Sequence, residues 1–250
     1  MSLEWLRVIR EHEFEQILKF MPPADSAARV LEIGAGTGQQ AAQLEALGYQ
    51  VTAIDIPESA YARQRVYPVK DYDGKTLPVS TASMDVVFSS NVLEHVVAID
   101  ALLEEMARVL VPGGLAIHVL PTPAWRCLTT FTYYPWLLKR FLQIVFRSGA
   151  KRHDSSPVSR SMPNPGSALS MLWQKKHGER GNLLTETWFF SEAWWRRTFS
   201  RAGFKVVEVR PAGIVYSGSF LFSELLPMTV RKPLAKLLGS ATKIYILRLD

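Results

Sequence analysis

The chain has 250 residues, 48% of them hydrophobic, and a net charge of +6, enough for one α/β domain with an insertion or a small cap. Its single cysteine, Cys127, excludes an intrachain disulfide framework and favours a reducing compartment. No run of about 18 uncharged apolar residues occurs, which argues against a membrane-spanning helix, and the charged start Met1-Ser2-Leu3-Glu4-Trp5 lacks the pattern of a secretory signal, so a cytoplasmic protein is expected.

Residues 3–20 read as an amphipathic helix with Trp5, Ile9, Phe14, Ile17 and Leu18 near one stripe, ended by Met21-Pro22-Pro23. Arg29 to Ile33 is a short apolar strand. A glycine loop, Gly34-Ala35-Gly36-Thr37-Gly38, follows, and then a helix from Gln39 to Leu47 closed by Gly48. Gln50 to Ile54 is a second strand ending at Asp55. A third is expected near Arg65 to Val69, and a fourth at Asp85 to Ser89. Asp100 is expected to cap a helix running to Leu110, with Glu104 placed four residues before Arg108 for an ion pair. Pro112-Gly113-Gly114 reads as a turn, and Leu115 to Leu120 as the fifth strand. The regular pattern breaks over 121–187. It resumes with a helix capped by Ser191, a sixth strand from Phe204 to Val209, a second apolar insertion over 211–241, and an alternating strand from Lys243 to Leu249. This order predicts a single domain with a mostly parallel, doubly wound sheet and helices on both faces.

The first βα turn carries the main chemical signal. Small residues after a strand let backbone approach a ligand, and the following helix aims free N–H groups at it. An acid at the end of the second strand accepts hydrogen bonds from ribose hydroxyls. Asp55 stands there, 21 residues after Gly34. Two cofactor classes use this geometry, because Gly36-Thr37-Gly38-Gln39-Gln40-Ala41 also fits the dinucleotide pattern G-x-G-x-x-G/A. The loop and its acid therefore leave an NAD(P)-dependent oxidoreductase open.

Other segments carry a resemblance. Val30 to Gly38 resembles the E/D-x-G-x-G-x-G motif of class I S-adenosylmethionine-dependent methyltransferases, and Asp73-Gly74-Lys75-Thr76-Leu77-Pro78 resembles their D-x-x-x-L-P loop. Ser83 to Val96, which contains Leu93-Glu94-His95, is similar to their fourth-strand motif, and Arg108 to Gly114 to their R-x-L-x-P-G-G turn. The match is to the small-molecule, type 11 kind that carries L-E-H, over residues 29–120 and again over 191–210. The resemblance implies a seven-stranded Rossmann-like sheet with an antiparallel last strand, an ending not expected of a dinucleotide enzyme, and S-adenosylmethionine as cofactor. It implies that Glu32 orients the cofactor's amino-acid end and that Gly34, Ala35, Gly36 and Gly38 form the loop that passes it. Asp55 would hold the ribose, with Ile56 on the adenine; Asp73 would accept from the adenine amino group, and Asn91 would lie beside the methionine portion. A non-catalytic binding protein is the other reading, against which the intact Glu32, glycines and Asp55 argue.

A hydroxyl acceptor needs a base to take its proton. His177, in His177-Gly178-Glu179-Arg180-Gly181-Asn182, is the first candidate, because that segment is expected to fold over the pocket; His95 is the second. His12 reads as a surface residue, His118 as structural within strand five, and His153 as a neighbour of Asp154. No cluster has metal-ligand spacing along the chain, so no metal is expected.

The basic excess is local. Nine basic residues between Lys139 and Arg180 face two acids, so that stretch is +7 and the rest about −1. Together with the aromatic, apolar run Phe131 to Arg147 and a second apolar run, Ile214 to Met228, this points to a lid-like insertion and to peripheral contact with an anionic membrane. The acceptor class expected is a small molecule, glycan or lipid-linked hydroxyl. Nucleic acid is disfavoured, because Ser90-Asn91-Val92-Leu93 replaces the catalytic N-P-P-Y or D-P-P-Y type tetrapeptide after strand four.

Overall fold

The computed structural model describes residues 3–150, 176–182, 184–217 and 226–249. Seven strands form one sheet: β1 (Arg29–Ile33), β2 (Gln50–Asp55), β3 (Val69–Asp71), β4 (Met84–Ser90), β5 (Leu110–Pro121), β6 (Phe204–Pro211) and β7 (Thr242–Leu249). Their order is β3-β2-β1-β4-β5-β7-β6, with β7 antiparallel to both β5 and β6. The Rossmann-like sheet and the reversed last strand are those expected from the sequence.

The period of two along each strand sorts side chains to two faces. Leu31, Ile33, Val87, Ala116, Tyr245 and Leu247 face one way and pack with Leu102, Leu103 and Met106 of α3 (Ile99–Val109) and with Trp195 and Phe199. Val30, Val86, Phe88, Ile117, Val119, Ile244 and Ile246 face the other. There they meet Phe14 and Ile17 of α1 (Leu3–Ile17) and Leu44 of α2 (Gln39–Ala46). Among the described residues the remaining α-helices are α4 (Pro123–Ala150), α5 (Glu186–Phe189), α6 (Glu192–Arg201) and α7 (Met228–Leu238). Ser191 caps α6 by accepting from the Trp194 N–H, as its position predicts.

Several local expectations are corrected. Strand three begins at Val69 rather than Arg65, because Pro68 has no N–H for a ladder and Ala62–Gln64 forms a 3-10 turn. Asp100 does not cap α3. The cap position is Ala98, and Asp100 lies in the first turn, paired with Arg201 at 3.1 Å. Arg108 pairs with Glu105, not Glu104. It also donates to the Leu77 and Val79 carbonyls, so it pins the loop before β4. Pro112-Gly113-Gly114 is a bulge within β5 rather than a turn before it: β4 advances from Met84 to Val86 while β5 advances from Leu110 to Leu115.

Strand order reverses between β1 and β4, and open α/β sheets bind ligands in the crevice at that point, beyond the carboxyl ends of the strands. Both the glycine loop and the Leu93-Glu94-His95 turn lie there.

Candidate active site

The loop after β1 is held close to its neighbours. The N–H groups of Gly34 and Ala35 both donate to the Ile54 carbonyl, at 2.9 and 3.0 Å. Gly34 has φ +70, and a Cβ there would lie 2.4 Å from a Val92 methyl group, so this position requires glycine twice over. Gly38 opens α2 in the left-handed region. Asp55, 8% exposed, accepts the Gly36 N–H at 2.9 Å and the Ile56 N–H at 2.8 Å. These two bonds fix its carboxylate at the mouth of the loop.

Glu32 lies beneath, 2% exposed. The Ala41 N–H donates to its carboxylate, while Oε2 is buried with no hydrogen-bond partner. Burial, helped by the Asp55 charge, pushes its pKa up to about 8. Ile56 is exposed and lies 3.6 Å from where a Cβ on Gly74 would stand, which brings the Asp73 loop alongside it. Asp73 Oδ1 accepts from the Lys75 and Thr76 N–H groups at 2.9 Å, so a turn role is built in. Asn91 turns the chain at φ +56, where its own N–H donates to the Val119 carbonyl.

Both base candidates are brought together across the crevice. Leu93–His95 forms a 3-10 turn, and the His95 ring centroid lies 4.8 Å from that of His177. Trp125 lies 4.5 Å from His177 on another side. The segment carrying His177 is docked by its backbone. Glu179 N–H donates to the Glu94 carbonyl, Arg180 to the Val96 carbonyl, and the N–H groups of His177 and Gly178 to Glu186 Oε1. Glu186 is ion-paired at 2.8 Å with Arg126, and both side chains are buried. Burial lowers the pKa of both histidines, and His95 and nearby arginines help bring His177 to about 4.

Sequence reasoning missed part of this environment. Glu94 is fully buried between the histidines and α1, and neither of its oxygens has a hydrogen-bond partner. Burial pushes its pKa up to about 8. Beside it Glu13 accepts from Tyr216 and Thr242 and is ion-paired with Arg10. Apart from the Leu93-Glu94-His95 motif itself, the local marks are two charges, Arg10 and Glu13, on or beside the apolar stripe of α1. His12 is not merely a surface residue; it hydrogen-bonds the Ala212 carbonyl at 2.9 Å and so ties α1 to the segment after β6. His118 is buried against Ser89, as expected of a structural residue. His153 lies outside the described residues.

Comparisons with known proteins agree with this geometry. Residues 31–118 match the family described as a methyltransferase domain. The chain is 39% identical over 106 residues to the biotin biosynthesis bifunctional protein BioHC of Cellvibrio japonicus, covering 40% of this chain and 21% of that protein. It is 39% identical over 114 residues to a demethylmenaquinone methyltransferase of Mycobacterium sp. (strain KMS), covering 44% of this chain and 49% of that protein. These matches thus span between a fifth and a half of the relatives' own lengths. A crystal structure of an S-adenosylmethionine-dependent methyltransferase from Mesorhizobium loti superimposes with a TM-score of 0.56 at 16% identity, covering 95% of this chain and 97% of that one, which is a likeness of fold. Motifs, strand order and family match agree: residues 31–118 are similar to a methyltransferase domain, and the sheet has the Rossmann-like order with a reversed last strand.

Proposed function

We propose that this protein transfers the methyl group of S-adenosylmethionine to the hydroxyl of a small-molecule or lipid-linked acceptor. The observation that carries the reading is the meeting, at one crevice, of a cradle lined by acids and glycines with a cluster of buried and half-buried titratable side chains. The cradle fits the cofactor. Glu32 Oε2 is an orphan buried acceptor that an ammonium group satisfies, the close-packed Gly34 leaves backbone bare to a ligand, and Asp55 is locked where ribose hydroxyls donate. Ile56 and the Asp73 loop supply an apolar edge and a carboxylate for the adenine, and Asn91 borders the methionine portion.

Bound in this cradle, the cofactor supplies an activated sulfonium methyl group. The protein's work is to align the acceptor oxygen, exclude water and take its proton. His177 and His95 are placed to take that proton. The segment 176–182, docked over the Leu93-Glu94-His95 turn, is the proposed lid. The name of the quinone-class relative supports an apolar acceptor. So does a run of exposed apolar side chains at helical spacing on α4, Phe131, Tyr134, Leu138 and Leu142, which suits peripheral contact with a membrane. The second apolar run contributes less, because Ile214, Val215 and Tyr216 are buried in the core and 218–225 lie outside the described residues. Among the described residues no helix is long and apolar enough to cross a membrane.

Labelled S-adenosylmethionine incubated with a cell extract, then split into lipid, soluble small-molecule and macromolecular fractions, tests the acceptor class. Label in the lipid fraction is expected; label confined to protein or nucleic acid would overturn the reading. With the acceptor fraction in hand, His177→Ala should slow label transfer by about 10²- to 10⁴-fold while leaving the dissociation constant for S-adenosylhomocysteine within about twofold. Asp55→Ala should instead weaken that binding by about 1–3 kcal/mol, measured by calorimetry. An unchanged constant would remove Asp55 from the site.

A further inference from the structure

We propose that Glu94, His95 and His177 form a divalent transition-metal site on the acceptor side of the crevice. The inference rests on the reading of that side given above and names what the cluster holds. One ligand atom from each of the three residues lies within 4.8 Å of the others. A four-coordinate zinc ion, bonded at about 2.0–2.2 Å, sets its ligand atoms about 3.3 Å apart. Closing from that distance requires a turn of the imidazole rings, and neither residue is enclosed: the His95 side chain is 42% exposed and His177 is exposed.

The second observation is Glu94. Its side chain is fully buried, both oxygens lack a hydrogen bond, and Oε1 lies 3.8 Å from His95 Nε2. A buried carboxyl with no partner is costly unless something satisfies it. No nearby cation contacts it: Arg10 attracts it electrostatically but is itself engaged by Glu13 at 2.5 Å, and Arg126 is engaged by Glu186 at 2.8 Å. Glu94 is thus left as the carboxyl whose proton an incoming cation displaces. Two imidazoles and one carboxylate select borderline ions such as Zn(II) or Co(II) over the all-oxygen preferences of Mg(II) and Ca(II).

The three ligands come from two segments. Glu94 and His95 are neighbours on one turn, and His177 arrives on the segment whose Glu179 N–H already binds the Glu94 carbonyl. An ion here ties that segment down against the wall made by Trp125 and Phe190. Three protein ligands leave a fourth position open. An ion held by these residues would lower the pKa of an acceptor hydroxyl at that position, so that its proton would pass to water near neutral pH. That oxygen then forms a bond to the methyl carbon as the carbon–sulfur bond breaks, leaving the methyl ether and the neutral thioether. With the ion in place the two imidazoles are ligands, and the ion replaces them as the group that promotes loss of the acceptor's proton.

The test uses the full chain, stripped with a chelator and titrated with Co(II), whose visible bands report coordination. Uptake of one Co(II) per chain at micromolar or tighter affinity is expected, with displacement by Zn(II). His95→Ala, His177→Ala and Glu94→Gln should each weaken it by at least about tenfold, and His12→Gln should leave it unchanged. The two histidine variants alter exposed rings and preserve the test if Glu94→Gln does not fold. Absence of stoichiometric uptake by the wild type, or equal uptake by both histidine variants, overturns the proposal. S-adenosylhomocysteine binding to the stripped protein, read in parallel, tests the cofactor reading separately, so the failure of either is told apart from the failure of the other.

Discussion

Replacing Arg126 with Met should lower the unfolding free energy by about 3–5 kcal/mol, measured by urea denaturation. Arg126 of α4 is 1% exposed and Glu186 of α5 is 0% exposed. Their ion pair lies out of water, where the attraction offsets a large desolvation cost only while both partners remain. Glu186 does more than pair, since its other oxygen takes the N–H groups of His177 and Gly178 at 2.6 and 2.5 Å. Removing Arg126 leaves that carboxylate buried without its cation and loosens the segment that carries His177. Glu186→Gln should cost a similar amount, because it removes the carboxylate charge facing the buried guanidinium. The double variant Arg126→Met/Glu186→Gln should recover part of the loss, since the uncompensated charge is then gone. The exposed pair Arg196–Glu192 provides the contrast: Arg196→Ala should cost at most about 1 kcal/mol. An Arg126→Met protein within about 1 kcal/mol of wild type would show that the pair does not hold α4 to α5.

The contrast between these two pairs shows what a sequence can disclose. Arg196 and Glu192 are four residues apart on one helix, a spacing that can be read directly. Arg126 and Glu186 are 60 residues apart, with no local signature. The same division runs through the fold. Alternation along β7 announced a strand, Ser191 announced its helix, and the glycine loop with Asp55 announced the crevice, because each is a short-range pattern. Strand three starts at Val69, at the end of the expected stretch, because Pro68 forbids pairing at that point. Asp100 was a credible cap by type but sits one residue inside the helix, where its carboxylate reaches Arg201 instead. At the candidate site, Glu94 and His95 were visible as letters of a motif. That Glu94 points inward without a partner, and that His177 closes on it, follows only from how α1, α4 and the 176–182 segment pack. Spacing along the chain gave no hint of a ligand cluster, because two of its members are 82 residues apart.

Cofactor binding should tighten as pH rises toward 8, by up to about tenfold per pH unit, because Glu32 must give up a proton to receive the ligand's ammonium group. Burial holds the Glu32 pKa at about 8 in the cofactor-free protein, well above the ordinary carboxylate range. The sign follows from that direction. An acid whose pKa is raised by folding contributes stability that is present below its unfolded pKa and lost as pH rises through the folded value. At pH 6 the free protein therefore carries a neutral Glu32, and an ammonium arriving at Oε2 expels its proton. Above about 8 Glu32 is already ionised and gives no further gain, while the ligand's own α-amino group begins to lose its proton. Affinity for S-adenosylhomocysteine should therefore peak near pH 8. Calorimetry in two buffers of different ionisation enthalpy should find close to one proton released per ligand at pH 6.5. Glu32→Gln should abolish that release, flatten the acid side of the profile and weaken binding at pH 8 by about 1.5–3 kcal/mol, the worth of a hydrogen bond to a charged group. Proton release that persists in Glu32→Gln would assign the linkage to another group. Its absence from the wild type would mean that the ammonium does not reach Glu32, and the amino-acid end of the cofactor would then have to be anchored elsewhere along the Gly34–Gly38 loop.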